Sequence, residues 1–152
     1  MRKEKIGDVY KIEVVKNKFA FAQVIYKGLV RVFAEFYDST TLFEDVIQNI
    51  SDVQSFSVFI HKEYLTNENW VFQGSYEIIS KELPVFFRQD FFDFEDCVIV
   101  DVYGNKKRVK PIECIGLERS AVWDTDHVVG RLKNILLKND DENVKTMLVK
   151  LK

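Results

Sequence analysis

VYKIEVVKNKFAFAQVIYKGLVRVFAEFY, residues 9–37, is dense in β-branched and aromatic residues and is interrupted only at Lys16-Asn17-Lys18 and Lys27-Gly28. Short polar breaks between such runs are hairpin signals, so the segment predicts three consecutive antiparallel strands, Val9–Val15, Phe19–Tyr26 and Leu29–Tyr37. In the middle run Phe19, Phe21, Gln23 and Ile25 share one face, and Ala20, Ala22, Val24 and Tyr26 share the other. Both faces are largely apolar, so the meander needs cover on two sides, as a curved sheet or a small open barrel.

Beyond it, Asp38-Ser39-Thr40-Thr41 reads as a helix start, and Leu42, Phe43, Val46, Ile47 and Ile50 follow helical spacing. A short helix near 42–50 is predicted, with Glu44 and Asp45 at its positive end. Phe56, Val58 and Ile60 alternate as in a strand, and Trp70 to Tyr76 repeats the pattern after the polar turn Thr66–Asn69. Cys97–Tyr103 and Lys106–Ile112 read as a hairpin closed by Gly104-Asn105. Asp124 or Thr125 caps a C-terminal helix near 125–137, whose apolar face is Val128, Val129, Leu132, Ile135 and Leu136. The tail VKTMLVKLK fits either a final strand or a second short helix. The class is α+β, mostly β, and 152 residues predict a single domain over 1–152.

Charge and composition narrow the function. A net charge of -2 supplies no large basic field for nucleic acid. The opening MRKEKIGD lacks a secretory apolar run, and no apolar run approaches the ~18 residues that cross a bilayer, so the reading is a cytoplasmic chain without a membrane partner. Cys97 and Cys114, beside Val98, Ile99, Ile112 and Ile115, read as buried, reduced thiols. Gly28, Gly74, Gly104, Gly116 and Gly130 are isolated from one another, so no phosphate loop exists. Asp124 and His127 would share a helix face, but a zinc centre wants three or four ligands and the chain has only His61 and His127 as histidines. No metal, no cofactor and no catalytic residue is predicted.

FFRQDFFDFEDCVIVD, residues 86–101, interleaves Asp90, Asp93, Glu95 and Asp96 with Phe91, Phe92 and Phe94. Acids that steer an encounter and aromatics that anchor it would suit a basic partner. Alternatively the phenylalanines point into the core while the acids solvate a loop. Lys106-Lys107-Arg108 and Lys110 read as a solvated strand face.

GLERSAVWDTDHVVGRLKN, residues 116–134, resembles the C-terminal signature of the immunity protein 26 family, which runs Gly-Leu-Glu-Arg, then Ala-Val-Trp-Asp, then His-Val and an Arg-Leu helix. The N-terminal IGDVYKIEVVKNKFAFAQVI is similar to the family's opening at Gly7 and Asp8. Trp70 matches a middle-region tryptophan, VFFRQD a segment before the last hairpin, and Ala22-Gln23 stands where relatives tend to carry a glycine. The resemblance implies a bacterial polymorphic-toxin immunity protein that blocks a cognate toxin domain by stoichiometric binding, without turnover. It leaves Gly7, Asp8, Trp70, Gly116, Leu117, Glu118, Arg119, Trp123, Asp124 and His127 as structural signature residues, with a Trp-Arg-Glu network fixing the helix onto the sheet. The toxin contact is placed on Asp90, Phe91, Phe92, Asp93, Glu95 and Asp96. Two other classes stay open: a metal-dependent phosphotriester hydrolase, a label some relatives carry, and a small-ligand or peptide-binding barrel favoured by the many aromatics.

Overall fold

The computed structural model of the chain describes residues 3–79 and 82–151. In chain order its strands are β1 (Asp8–Val15), β2 (Lys18–Tyr26), β3 (Leu29–Tyr37), β4 (Ser55–Ile60), β5 (Trp70–Ser75), β6 (Phe86–Gln89), β7 (Cys97–Val100), β8 (Lys106–Val109), β9 (Glu118–Arg119) and β10 (Val122–Trp123). The α-helices are α1 (Phe43–Val46), α2 (Thr125–Leu137) and α3 (Glu142–Met147). The fold is α+β and mostly β. It divides into two compact units, Met1–Lys81 with Val122–Asp140, and Glu82–Ala121 with Asp141–Lys152.

The first unit is built on the meander. Val15 pairs with Lys18, so Lys16-Asn17 form a two-residue loop, with Asn17 at φ 64 in the left-handed region that asparagine tolerates. The sheet runs β10-β4-β3-β2-β1-β5 and is open, with β10 joined in parallel and the other neighbours antiparallel. Register puts Val9, Phe21 and Phe33 on one face, where Phe43, Ile50, Val46, Ile47 and Tyr76 close over them. Ile12, Ala20, Ala22, Val30 and Val32 fill the opposite face with Phe56 and Val58 of β4. There α2 lies against β1 and β3 with Val128 and Leu132 buried.

Two polar side chains inside this sandwich are held by backbone. Gln23 is fully buried; its Nε2 shares donors among the carbonyls of Gly7 (3.3 Å), Tyr76 (3.2 Å) and Glu77 (3.1 Å), and its Oε1 accepts from Ile79 N at 3.3 Å. Every polar atom of the amide is therefore used, as burial demands. Lys11 lies beneath the 38–41 loop, with Nζ donating to the carbonyls of Ser39 and Thr41 and standing 4.9 Å from the Phe19 ring centroid. Burial pushes its pKa down, against the raising influence of Asp38 and Asp45.

The second unit holds a four-stranded sheet of order β8-β7-β6-β9, antiparallel except for β9 on β6. Its core is Phe87, Cys97, Val109 and Cys114, with Ile99, Leu117 and Val149 packed alongside.

Several local expectations are corrected. The start read at Asp38-Ser39-Thr40-Thr41 supplies no cap residue to α1: the Asp38 carboxylate accepts from Thr40 N and Thr41 N, while Leu42 is the cap and Asp45 Oδ2 accepts from Leu42 N. α1 is a single turn, followed by a 3₁₀ turn at Ile50–Asp52. Gly104-Asn105 is not a two-residue hairpin loop, because β7 stops at Val100 and Asp101 Oδ1 gathers Tyr103 N and Asn105 N at 2.9 Å each. The strand expected to reach Ile112 ends at Val109, since Pro111 opens a 3₁₀ turn, and Ile112 and Ile115 are exposed rather than packed around the thiols. The tail supplies α3, capped by the Asp141 carboxylate on Val144 N.

Because Gln23 satisfies three carbonyls and an amide at once, Gln23→Leu should lower unfolding free energy by about 2–4 kcal/mol in urea titration. Amide exchange at Ile79 should accelerate well beyond the change at Val30. A loss below about 1 kcal/mol would show that the latch carries no net stability.

Candidate functional site

β6 ends a buried run, Phe86-Phe87, and the chain then turns outward. Asp90 makes the turn: its Oδ2 accepts from Phe92 N and Asp93 N, both at 2.8 Å. Asp93 Oδ1 accepts from Glu95 N at 3.1 Å, Asp90 N donates to Asp96 O and Asp96 N to Asp93 O. The backbone N–H groups of Asp93 and Phe92 hold the Asp90 carboxyl below the usual carboxylate range. The turn is thus ordered while Asp90 is ionised and loosens only as pH falls through that depressed value.

Two adjacent phenylalanines stand on this frame almost wholly in water. Phe91 is 88% and Phe92 99% exposed, so the core-facing alternative fails for both, while Phe94 is half-buried and Phe86 and Phe87, earlier in the run, are buried. Asp90, Asp93 and Glu95 are exposed around them, while Asp96 is bound at 3.0 Å by Arg108 of β8. The six residues expected to form a partner surface are therefore brought together. Beside Phe91 a groove of about 420 Å³ runs past Phe94 and Met147, with Arg119 and Lys150 among its walls.

The signature residues divide between the units. Glu118 and Arg119 form β9, where the Arg119 guanidinium lies 4.8 Å from the Phe87 centroid and Nε donates to Met147 O at 3.1 Å. Gln89 completes the hold on the tail, accepting from Lys150 N at 2.9 Å and donating to Lys150 O. Trp123 belongs to the first unit, and the guanidinium against it, at 5.2 Å, is that of Arg131, which also covers Phe56 at 3.8 Å. The arginine against Trp123 is thus Arg131, while Arg119 lies on Phe87, because β9 and β10 join different sheets. Trp70 is buried beside Tyr64 at 5.9 Å, and Gly116, at φ 86, turns the chain toward Leu117.

Gly7 has a sharper role. At φ 100 it receives Tyr76 N through its carbonyl, and a Cβ there would fall 2.5 Å from Tyr76 O. Only glycine lets the backbone approach that closely. Asp8 is fully buried and accepts from Lys5 N and the Ser75 hydroxyl.

Both histidines converge on Asp124: His61 Nε2 lies 3.6 Å from Oδ1 and His127 Nδ1 3.7 Å from Oδ2. The Asp124 carboxylate makes no cap bond to α2; the backbone carbonyl of Asp124 accepts from His127 N and Val128 N instead. Sequence spacing linked Asp124 only to His127; His61 arrives because its N–H donates to Trp123 O where β4 meets β10. Among the described residues no three His, Cys, Asp or Glu side chains are grouped to hold a metal ion. No helix among them is long and apolar enough to cross a membrane.

Comparison with family models, curated proteins and solved structures finds no match to this chain.

Arg119 and Gln89 were not expected to anchor the C-terminal tail. Arg119→Met keeps an apolar stem over Phe87 but removes the donors, and should speed amide exchange at Leu148 and Lys150 by about tenfold or more, the equivalent of ~1.4 kcal/mol. Unchanged exchange there would assign the tail's order to Gln89 and packing alone.

Proposed function

We propose that this chain is an immunity protein that neutralises a cognate bacterial toxin domain by covering its working surface. The carrying observation is the pair Phe91-Phe92, held in water by a turn whose backbone is fixed by Asp90. Leaving two large rings exposed forgoes about 1.5–3 kcal/mol of burial for each, and nothing within the turn recovers it. A partner that accepts the rings does recover it, and a rigid turn loses little conformational freedom on docking. The surrounding carboxylates of Asp90, Asp93 and Glu95 favour a basic partner surface, such as the cationic cleft of an enzyme acting on nucleic acid or another anionic substrate. The resemblance to the immunity protein 26 family supports the same reading. In it, inhibition comes from occupation, so no residue of this chain turns over a substrate.

The test first asks whether a toxin domain is encoded next to this chain and then pairs the two. Phe91→Ala/Phe92→Ala should raise the dissociation rate by about a hundredfold or more, the loss of two anchor side chains, while stability in urea changes by less than about 0.5 kcal/mol. Replacing Asp90, Asp93, Glu95 and Asp96 with Lys should slow association and reverse its salt dependence and, because Asp90 and Asp93 also fix the turn, should raise the dissociation rate as well. Wild-type association and dissociation rates in both variants would remove this surface from the function.

A further inference from the structure

We propose that Cys97 and Cys114, the chain's only two cysteines, form a dithiol–disulfide site that locks the second unit. Sequence separates them by a hairpin, but the fold returns one to the other. Cys97 opens β7 and pairs with Val109, the last residue of β8. Lys110 follows, and the 3₁₀ turn Pro111–Cys114 then packs against β7, with Cys114 in the same buried cluster as Cys97. Both side chains are buried, at 1% and 0% exposure, in one cluster with Phe87 and Val109. Each thiol also has a backbone acceptor, Phe94 O for Cys97 at 3.4 Å and Lys110 O for Cys114 at 3.9 Å.

The chemistry follows from this placement. Burial raises both thiols, Cys114 to about 11, so neither is activated in the closed unit. When Cys97 reacts first, its thiolate attacks one sulfur of a small-molecule disulfide such as oxidised glutathione, forming a mixed disulfide and releasing one glutathione thiolate; exchanging the two roles leaves the balance the same. Cys114 loses its proton, attacks Cys97 Sγ and expels the second glutathione. The two protein thiols become one disulfide, the small disulfide becomes two thiols, and the two protons end on the released thiols. Because both sulfurs are enclosed, exchange is slow in the closed unit, and a bond once formed is shielded from reductants. The cross-link would tie the start of β7, the residue that follows the Asp90–Asp96 loop, to the turn after β8. It stands independently of any toxin partner.

The experiment equilibrates the full chain in reduced and oxidised glutathione, approaching from the dithiol and from the disulfide, and counts species by intact mass after acid quench. The fold predicts that the effective concentration of the Cys97–Cys114 pair is at least about tenfold higher in native buffer than in concentrated urea. Cys97→Ser and Cys114→Ser should each yield only free thiol or a single glutathione adduct. An advantage below about tenfold overturns the proposal, because the native fold would then be holding the sulfurs no better than an open chain does.

Discussion

A strand with apolar side chains on both faces has no stable position at a water interface, and β2 is such a strand. From Ala20 to Ile25 it presents nothing to solvent. The rest of the first unit is the set of elements that meets this constraint. β1 and β3 pair its edges, Phe43 and Ile50 close one face, and α2 closes the other. Ala20 and Ala22 are small on the face that α2 covers, while Phe21 is large on the face roofed by one turn of helix and a 3₁₀ turn. Polar groups drawn into such a layer must find partners inside it. Gln23 and Lys11 do so by bonding the backbone of the segments that cover the sheet, so the exceptions to the apolar pattern also fix where residues 38–41 and 76–79 run.

Irregular backbone here is ordered by carboxylates. Asp38, Asp90 and Asp101 each gather two or more donors from the residues just after them, and those donors hold all three carboxyls below the ordinary range. The device has different consequences by place. At Asp38 it delivers the chain to α1, and at Asp101 it replaces a tight hairpin with a longer connection. At Asp90 it fixes a backbone that holds two phenyl rings away from the protein. A looser loop would let Phe91 and Phe92 fold back onto the unit; an ordered one presents them, and this links a local hydrogen-bond pattern to the proposed recognition of a partner.

Legibility tracked the range of the interaction. The meander, the β4 and β5 strands and the α2 span of Thr125–Leu137 were readable because periodicity and capping act over a few residues. The acidic aromatic segment was readable as a candidate, yet alternation could not separate the buried Phe86 and Phe87 from the exposed Phe91 and Phe92, since all four sit in one run. What separates them is the Asp90 turn, a side-chain choice of acceptor that composition leaves open. The same holds for the hairpin at Gly104-Asn105, where Asp101 competes for amides that a two-residue loop would have paired.

By itself, the amino-acid sequence determined the α+β class, the apolar meander, the C-terminal helix and the acid-rich aromatic segment, because each depends on neighbours close along the chain. Tertiary structure alone decided that Arg131 and not Arg119 packs on Trp123, that His61 joins His127 at Asp124, that Gln23 latches residues 76–79 and that the two cysteines meet. Those pairings span distances along the chain over which no periodicity survives, and they are set by which sheets the strands join.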